Sequence, residues 1–226
     1  LDNSAFRYFH DGYIENNIAF LNTGGEGLVM ADLTDPQNPV VINSLTAYPN
    51  RGYNHSGWVT DDAKTYYFAD EDHGFPLKAV AIDDFCDIEV GNTFDGESSD
   101  PASIAHNLIV ACDYLYVSYY YDGLRIFDIS DQMNPKLVSF YDTYPQANNR
   151  RYKGAWGVYP YLPSGNILLS DMQTGLYIFE GMGDNCNTPT REITSLQSQS
   201  CNLTSTNDFV LNNDLKISPN PATDQT

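Results

Sequence analysis

The sequence predicts an all-β propeller. Residues 105–145 read as four short strands set between turn signals, which is the size of one blade. The pattern recurs along the chain, and no helical period interrupts it.

Within 105–145, Leu108–Val110 is an apolar run closed by Cys112-Asp113. Tyr114–Tyr120 is rich in aromatic and β-branched residues and ends at the tight turn Asp122-Gly123. Leu124–Ile129 is stopped by Ser-Asp-Gln-Met-Asn-Pro, and Lys136–Tyr141 follows as the fourth strand. Displacing the sequence by 96 residues lays His10 on His106, Gly27 on Gly123 and Leu28 on Leu124. The same shift lays Asp32, Asp35, Asn38 and Pro39 on Asp128, Asp131, Asn134 and Pro135 without a gap. So many matched turn positions identify an internal repeat.

A copy lies between these two. It opens at His55, continues through Thr65–Glu71 and Leu77–Ile82, turns at Asp83-Asp84, and has Cys86–Val90 as a weak fourth strand. Residues 92–103 are polar and turn-rich, which predicts a loop. The last copy begins at Ala155-Trp156 and runs through Asn166–Met172 and Leu176–Glu180, with no fourth strand. The repeats therefore span about 5–49, 50–103, 104–150 and 151–181 of a propeller region 1–181. Three and a half blades fall short of a ring of four to eight. The expectation is a larger ring with further blades before Leu1, with an unusual small four-bladed ring or assembly from two chains as the alternative. Asn, Ser, Thr and Gln then dominate a linker over 182–213.

Composition limits the partners. The net charge of −19 arises from 11 Lys and Arg against 30 Asp and Glu, so the chain lacks the cationic surface that nucleic acid or an anionic membrane needs. No apolar run reaches the roughly 18 residues of a membrane span. Four cysteines allow three disulfide connectivities. Cys186 and Cys201 flank a short loop-like stretch and form one candidate pair; Cys86 and Cys112, in neighbouring repeats, form another, with buried free thiols as the alternative.

The turn Gly-Leu-Arg-Ile-Phe-Asp-Ile-Ser-Asp-Gln-Met-Asn-Pro at 123–135, with its copy at 27–39, resembles the LVIVD repeat of bacterial surface proteins. The blocks at 55–71, 105–109 and 154–160 are similar to the choice-of-anchor B family, which is built from such repeats. Residues 217–224, Ile-Ser-Pro-Asn-Pro-Ala-Thr-Asp, resemble the opening of the C-terminal sorting domain of the type IX secretion system of Bacteroidota, placing a truncated copy at 214–226. These resemblances imply an exported protein, extracellular or on the outer cell surface, and imply no established catalysis.

Chemistry is expected at the axis. His10, His55 and His106 occupy one position in successive copies, each at the head of the strand expected to line the channel, with Trp156 in that place in the fourth. Convergent imidazoles would accept zinc, copper or iron, whereas a histidine repeated with its fold also serves a purely structural bond. The acidic run Asp70-Glu71-Asp72-His73-Gly74 ends the second strand of its blade, where Asp70 and Glu71 are candidate ligands for calcium or for the histidine site. Neighbours on a strand alternate faces, so the run cannot all serve one ion. Asp32, Asp35, Asp128 and Asp131 read as turn formers. Tyr119, Tyr120, Tyr121 and Trp156 are the aromatic candidates for a ligand surface. The functional expectation is a non-enzymatic module that binds protein or glycan at the cell surface. Its alternatives are a metal-dependent enzyme with a histidine channel site and a structural subunit of a surface assembly.

Overall fold

The computed structural model describes residues 8–183 and residue 201. Among these residues fifteen strands form four antiparallel sheets, each a meander in which sequence neighbours pair. The first blade holds β1 (Asp11–Glu15), β2 (Ile18–Asn22), β3 (Leu28–Asp32) and β4 (Val40–Leu45). The second holds β5 (Asn54–Val59), β6 (Thr65–Asp70), β7 (Leu77–Ala81) and β8 (Val90–Phe94). The third holds β9 (Leu108–Ala111), β10 (Tyr114–Tyr119), β11 (Gly123–Asp128) and β12 (Lys136–Tyr141), and the fourth β13 (Ala155–Tyr159), β14 (Ile167–Asp171) and β15 (Gly175–Phe179).

Local chemistry explains the turns. The β1–β2 hairpin closes on Asn16-Asn17, both at positive φ, as a two-residue turn matching strand twist requires. Gly27 and Gly123 occupy one repeat position at φ 92° and 75°. A β-carbon at either would collide with the end of the outer strand, at the carbonyl of Leu45 or Tyr141, so the repeat keeps glycine there. Between third and fourth strands the recurring aspartates act as turn formers. Asp32 Oδ1 accepts the Thr34 N–H at 2.7 Å and Asp128 Oδ1 that of Ser130 at 2.8 Å. Asn38 and Asn134 donate to Asp35 and Asp131 at 2.7 and 3.0 Å.

The outer strand of the second blade is Val90–Phe94, not Cys86–Val90. The third-to-fourth connection keeps a nearly constant length, at seven, eight and seven residues in the first three blades. In the second, Cys86 belongs to that turn: Asp84 Oδ1 accepts its N–H at 2.8 Å, and Phe85 plugs the core. The strand accordingly takes the first residues of the stretch read as a loop from 92.

Blades pack face to face in sequence order, β1 on β5, β5 on β9, and β9 and β10 on β13. Between the first two, Phe20 stacks on Tyr66 at 4.7 Å with Leu28, Met30 and Val80 around them. Tyr67, Leu115, Val117 and Phe127 fill the second junction, and Ile126, Val158 and Leu169 the third. Middle strands β2 and β6 are buried at every residue, whereas the outer strand β4 is partly buried and β12 has no buried residue, as a propeller requires. The fourth blade has three strands among the described residues, and β15 exposes Leu176 and Ile178 at 62% each.

The cysteines pair differently from either expected arrangement. Cys86 is bonded to Cys201, and Cys112 is also disulfide-bonded, so neither Cys86–Cys112 nor Cys186–Cys201 forms. Cys112 sits on the inner hairpin of the third blade, its N–H directed at Asp61, while Cys86 sits on the outer turn of the second. That places two cysteines on different hairpins, where a bridge needs Cα atoms within about 7 Å. Cys186, the rest of the linker 182–213 beyond 183 apart from Cys201, and the sorting stretch 214–226 lie outside the described residues.

Candidate functional site

The inner strands bring the repeated ring positions into one row. His10 immediately precedes β1, His55 is on β5, His106 precedes β9, and Trp156 is on β13. Ring centroids step from His10 to His55 at 4.2 Å, to His106 at 4.5 Å and to Trp156 at 4.2 Å. His55 and His106 are buried, whereas His10 and Trp156 are exposed at the ends of the row.

Glu71, half-buried just past β6, faces the two buried imidazoles. Its Oε2 lies 3.6 Å from His55 Nε2 and its Oε1 3.9 Å from His106 Nε2. The Tyr120 hydroxyl donates to Oε1 and lies edge-on to His106 at 4.9 Å between ring centroids. His106 Nδ1 donates to the Trp156 carbonyl, an acceptor only, so its Nε2 carries the lone pair and points it at Glu71. Ser118 Oγ donates to the same carbonyl at 2.9 Å, locking the Trp156 backbone. On the first-blade side, the hydroxyls of Tyr8 and Tyr53 meet at 2.6 Å, and Tyr53 reaches His10 Nδ1 at 3.1 Å.

Burial sets the charge states. It lowers the His55 pKa to about 3, assisted by the neighbouring rings of His106 and His10. It lowers His106 to about 4 against the opposing pull of the Trp156 carbonyl. At neutral pH both are neutral imidazoles. Burial also raises the Glu71 carboxyl, with the Tyr120 hydroxyl acting in the opposite direction. Burial, with help from Tyr8, pushes the Tyr53 phenol up to about 12.

The row joins His10, His55, His106, Glu71 and Trp156 but not Asp70. As the strand alternation requires, Asp70 points the other way, into the blade, where Lys78 Nζ meets it at 2.7 Å. Tyr48 Oη and the Gly52 N–H complete its bonding at 3.0 and 3.2 Å, so its oxygens are committed. Tyr119, Tyr120 and Tyr121 are not surface residues; all three are less than 5% exposed. Tyr119 packs against Gly96 between blades, Tyr120 turns to Glu71, and Tyr121 lies edge-on to Tyr144 and donates to Asn149. They lie at the β10–β11 turn, where the 144–152 segment covers Tyr120 and Tyr121. Asp171, the fourth-blade counterpart of the acidic strand end, accepts from Thr143 Oγ1 at 2.6 Å and from the Gln173 and Thr174 N–H groups at 2.8 Å each, and so closes a turn. His73 is directed at the Ala102 carbonyl at 3.1 Å, away from the row.

Sequence reasoning overlooked Lys78, Tyr53 and Tyr152. A lone lysine in the apolar run Leu77–Ala81 was the available signal for the first. Tyr152 is exposed and lies 5.4 Å from the Tyr120 ring, extending the aromatic rim from Trp156. Nothing in its polar surroundings at 145–151 marked it out.

Residues 102–143 match the LVIVD repeat. The chain is a repeat β-propeller protein. No curated protein sequence matches it. Among solved structures, a protein from Lactobacillus plantarum superposes with TM-score 0.61 at 12% identity, over 75% of this chain and 50% of the other. The periplasmic gluconolactonase PpgL of Pseudomonas aeruginosa gives 0.59 at 15% identity, over 85% and 54%. The computationally designed Ika4 protein gives 0.55 at 8% identity, over 79% and 94%. At such identities the likeness is one of fold. The chain spans about half the length of the Lactobacillus plantarum and Pseudomonas aeruginosa proteins.

Proposed function

We propose that the propeller is an exported binding module that captures a protein or glycan ligand at the mouth of its axis, without catalysing a reaction on it. The observation that carries this reading is Trp156. The residue is 45% exposed although its ring packs at a tilt against the buried His106, so an aromatic side chain held in place is presented to solvent at the end of the row. Tyr152 and Tyr8, 52% and 56% exposed, stand on the same rim through Tyr120 and Tyr53. Amphipathic rings held in place lose little conformational entropy on binding, which suits them as anchors.

Several features support export to the cell surface by type IX secretion, as in the choice-of-anchor B proteins that the sequence resembles. Disulfides persist in oxidising compartments, and both described cysteines of the blades are bridged. The matched LVIVD repeat and the motif at 217–224 point the same way.

The test is capture of labelled bacterial-surface glycans and secreted proteins by immobilised protein, beside Trp156→Ala. Loss of capture with an unchanged melting temperature supports the reading. Equal capture by the variant removes Trp156 from the ligand surface and overturns it. A metal-dependent enzyme is the second reading, favoured by the convergence of His55, Glu71 and His106. It requires turnover of a ligand that the first reading leaves intact.

A further inference from the structure

The two Glu71 contacts are too long to be hydrogen bonds. Separations of 3.6 and 3.9 Å between a carboxylate oxygen and a ring nitrogen exceed the roughly 3.2 Å limit of an N–H···O bond. The three groups nevertheless converge, with one ligand atom from each lying within 4.8 Å of the others. Two ligands bound to one zinc at about 2.1 Å and a tetrahedral angle stand about 3.4 Å apart. The 3.6 and 3.9 Å separations, each to a different oxygen of Glu71, are too long for direct bonding and stand somewhat above the spacing a shared metal would set, so that binding would draw the three groups inward from within their 4.8 Å circle.

We propose that His55, Glu71 and His106 form a divalent transition-metal site on the propeller axis, of the two-imidazole, one-carboxylate class, with Zn2+ as a competent occupant. One of the two imidazoles has the orienting contact a metal ligand needs, whereas His55 Nδ1 is buried without a hydrogen-bond partner. His106 is held through Nδ1 by the Trp156 carbonyl, which fixes the ring and leaves Nε2 free. Glu71 also accepts a hydrogen bond from the Tyr120 hydroxyl, which steadies the carboxylate without supplying a cation. The two-nitrogen, one-oxygen donor set suits zinc, copper or iron, whereas calcium takes six to eight oxygens. Asp70, spent on Lys78, cannot add to it. Three protein ligands leave a position open for water or a ligand group arriving past Trp156 or His10. This site is independent of the aromatic capture surface, since its occupancy is read without any partner.

The deciding experiment titrates Zn2+ into the full chain after chelator treatment and dialysis, followed by calorimetry. One equivalent per chain is expected. Glu71→Gln, which keeps an acceptor for Tyr120, should weaken binding by about 100-fold or more. His55→Gln should do likewise, and His73→Asn should change nothing, because that ring lies outside the cluster. Co2+ in place of Zn2+ should give visible d–d absorption that Glu71→Gln removes. Thermal melts establish that each variant is folded; should His55→Gln fail to fold, Glu71→Gln still decides. Absence of a stoichiometric ion in the unaltered chain overturns the proposal. So does binding that survives Glu71→Gln, or that His73→Asn weakens equally.

Discussion

Lys78 Nζ stands 2.7 Å from Asp70 Oδ2, and neither side chain has any solvent exposure. The ammonium also lies 5.7–5.9 Å from the ring centroids of Tyr48, Phe68 and Phe75. Burial lowers the Lys78 pKa, with Asp70 opposing it. The pair is fully desolvated, so removing one partner strands the other. Lys78→Met is expected to destabilise the fold by about 3–5 kcal/mol. Asp70→Asn added to it should recover part of the loss. Urea unfolding of the single and double variants measures both, and additive losses would rule out the coupling.

Three glycines share a repeat position with different surroundings. Gly123 lies against the Tyr141 carbonyl at the end of β12, whereas Gly175, at φ 95°, has open space around it among the described residues, where β15 has no outer neighbour. Alanine at 175 meets only the cost of a left-handed backbone, about 1 kcal/mol. Alanine at 123 must also displace β12. Gly123→Ala should therefore lower the melting temperature several-fold more than Gly175→Ala, as calorimetry would show. Equal effects would mean that backbone conformation alone selects the glycine.

Cys86 and Cys201 are 115 residues apart. Closing a loop of that length restricts the unfolded chain and is worth about 4–5 kcal/mol in the entropic account. The double variant Cys86→Ser, Cys201→Ser should melt on the order of 10 °C below the unaltered chain. A shift below about 2 °C would show that bridge strain or residual structure cancels the gain.

Asp171 carries the acid prediction. Burial acts to raise its pKa, but the hydrogen bonds from Thr143, Thr174 and Gln173 outweigh it and hold the carboxyl below the usual range. A depressed native pKa contributes stability that is complete above the unfolded value, near 4, and is lost as pH falls through the native one. Melting between pH 5 and pH 2 should show that loss, with a shallower pH slope in Asp171→Asn. Parallel slopes would remove Asp171 from the acid response.

Much of this was legible in the residues themselves. The limits of β12 were readable because Asn-Pro before Lys136 and Asp-Thr after Tyr141 punctuate an alternating strand. Outer strand β8 was hidden because Val-Gly-Asn-Thr-Phe resembles a turn, and only the constant connection length betrays it. The histidine row followed from the repeat period. Glu71 and Asp70 could be placed on opposite faces, but which face held the axis depended on where β6 ends against its neighbours. Tyr119–Tyr121 looked like a loop surface because the covering segment at 144–152 is distant in sequence and carries no periodic signal.

The bridge between Cys86 and Cys201 also has a mechanical meaning. A pull applied beyond residue 201 is delivered covalently into the outer turn of the second blade, bypassing the fourth blade with its exposed β15. Tension from anything that tethers the C-terminal side would thus load a complete four-stranded blade, and β15, the last strand among the described residues, would not be the first place to peel.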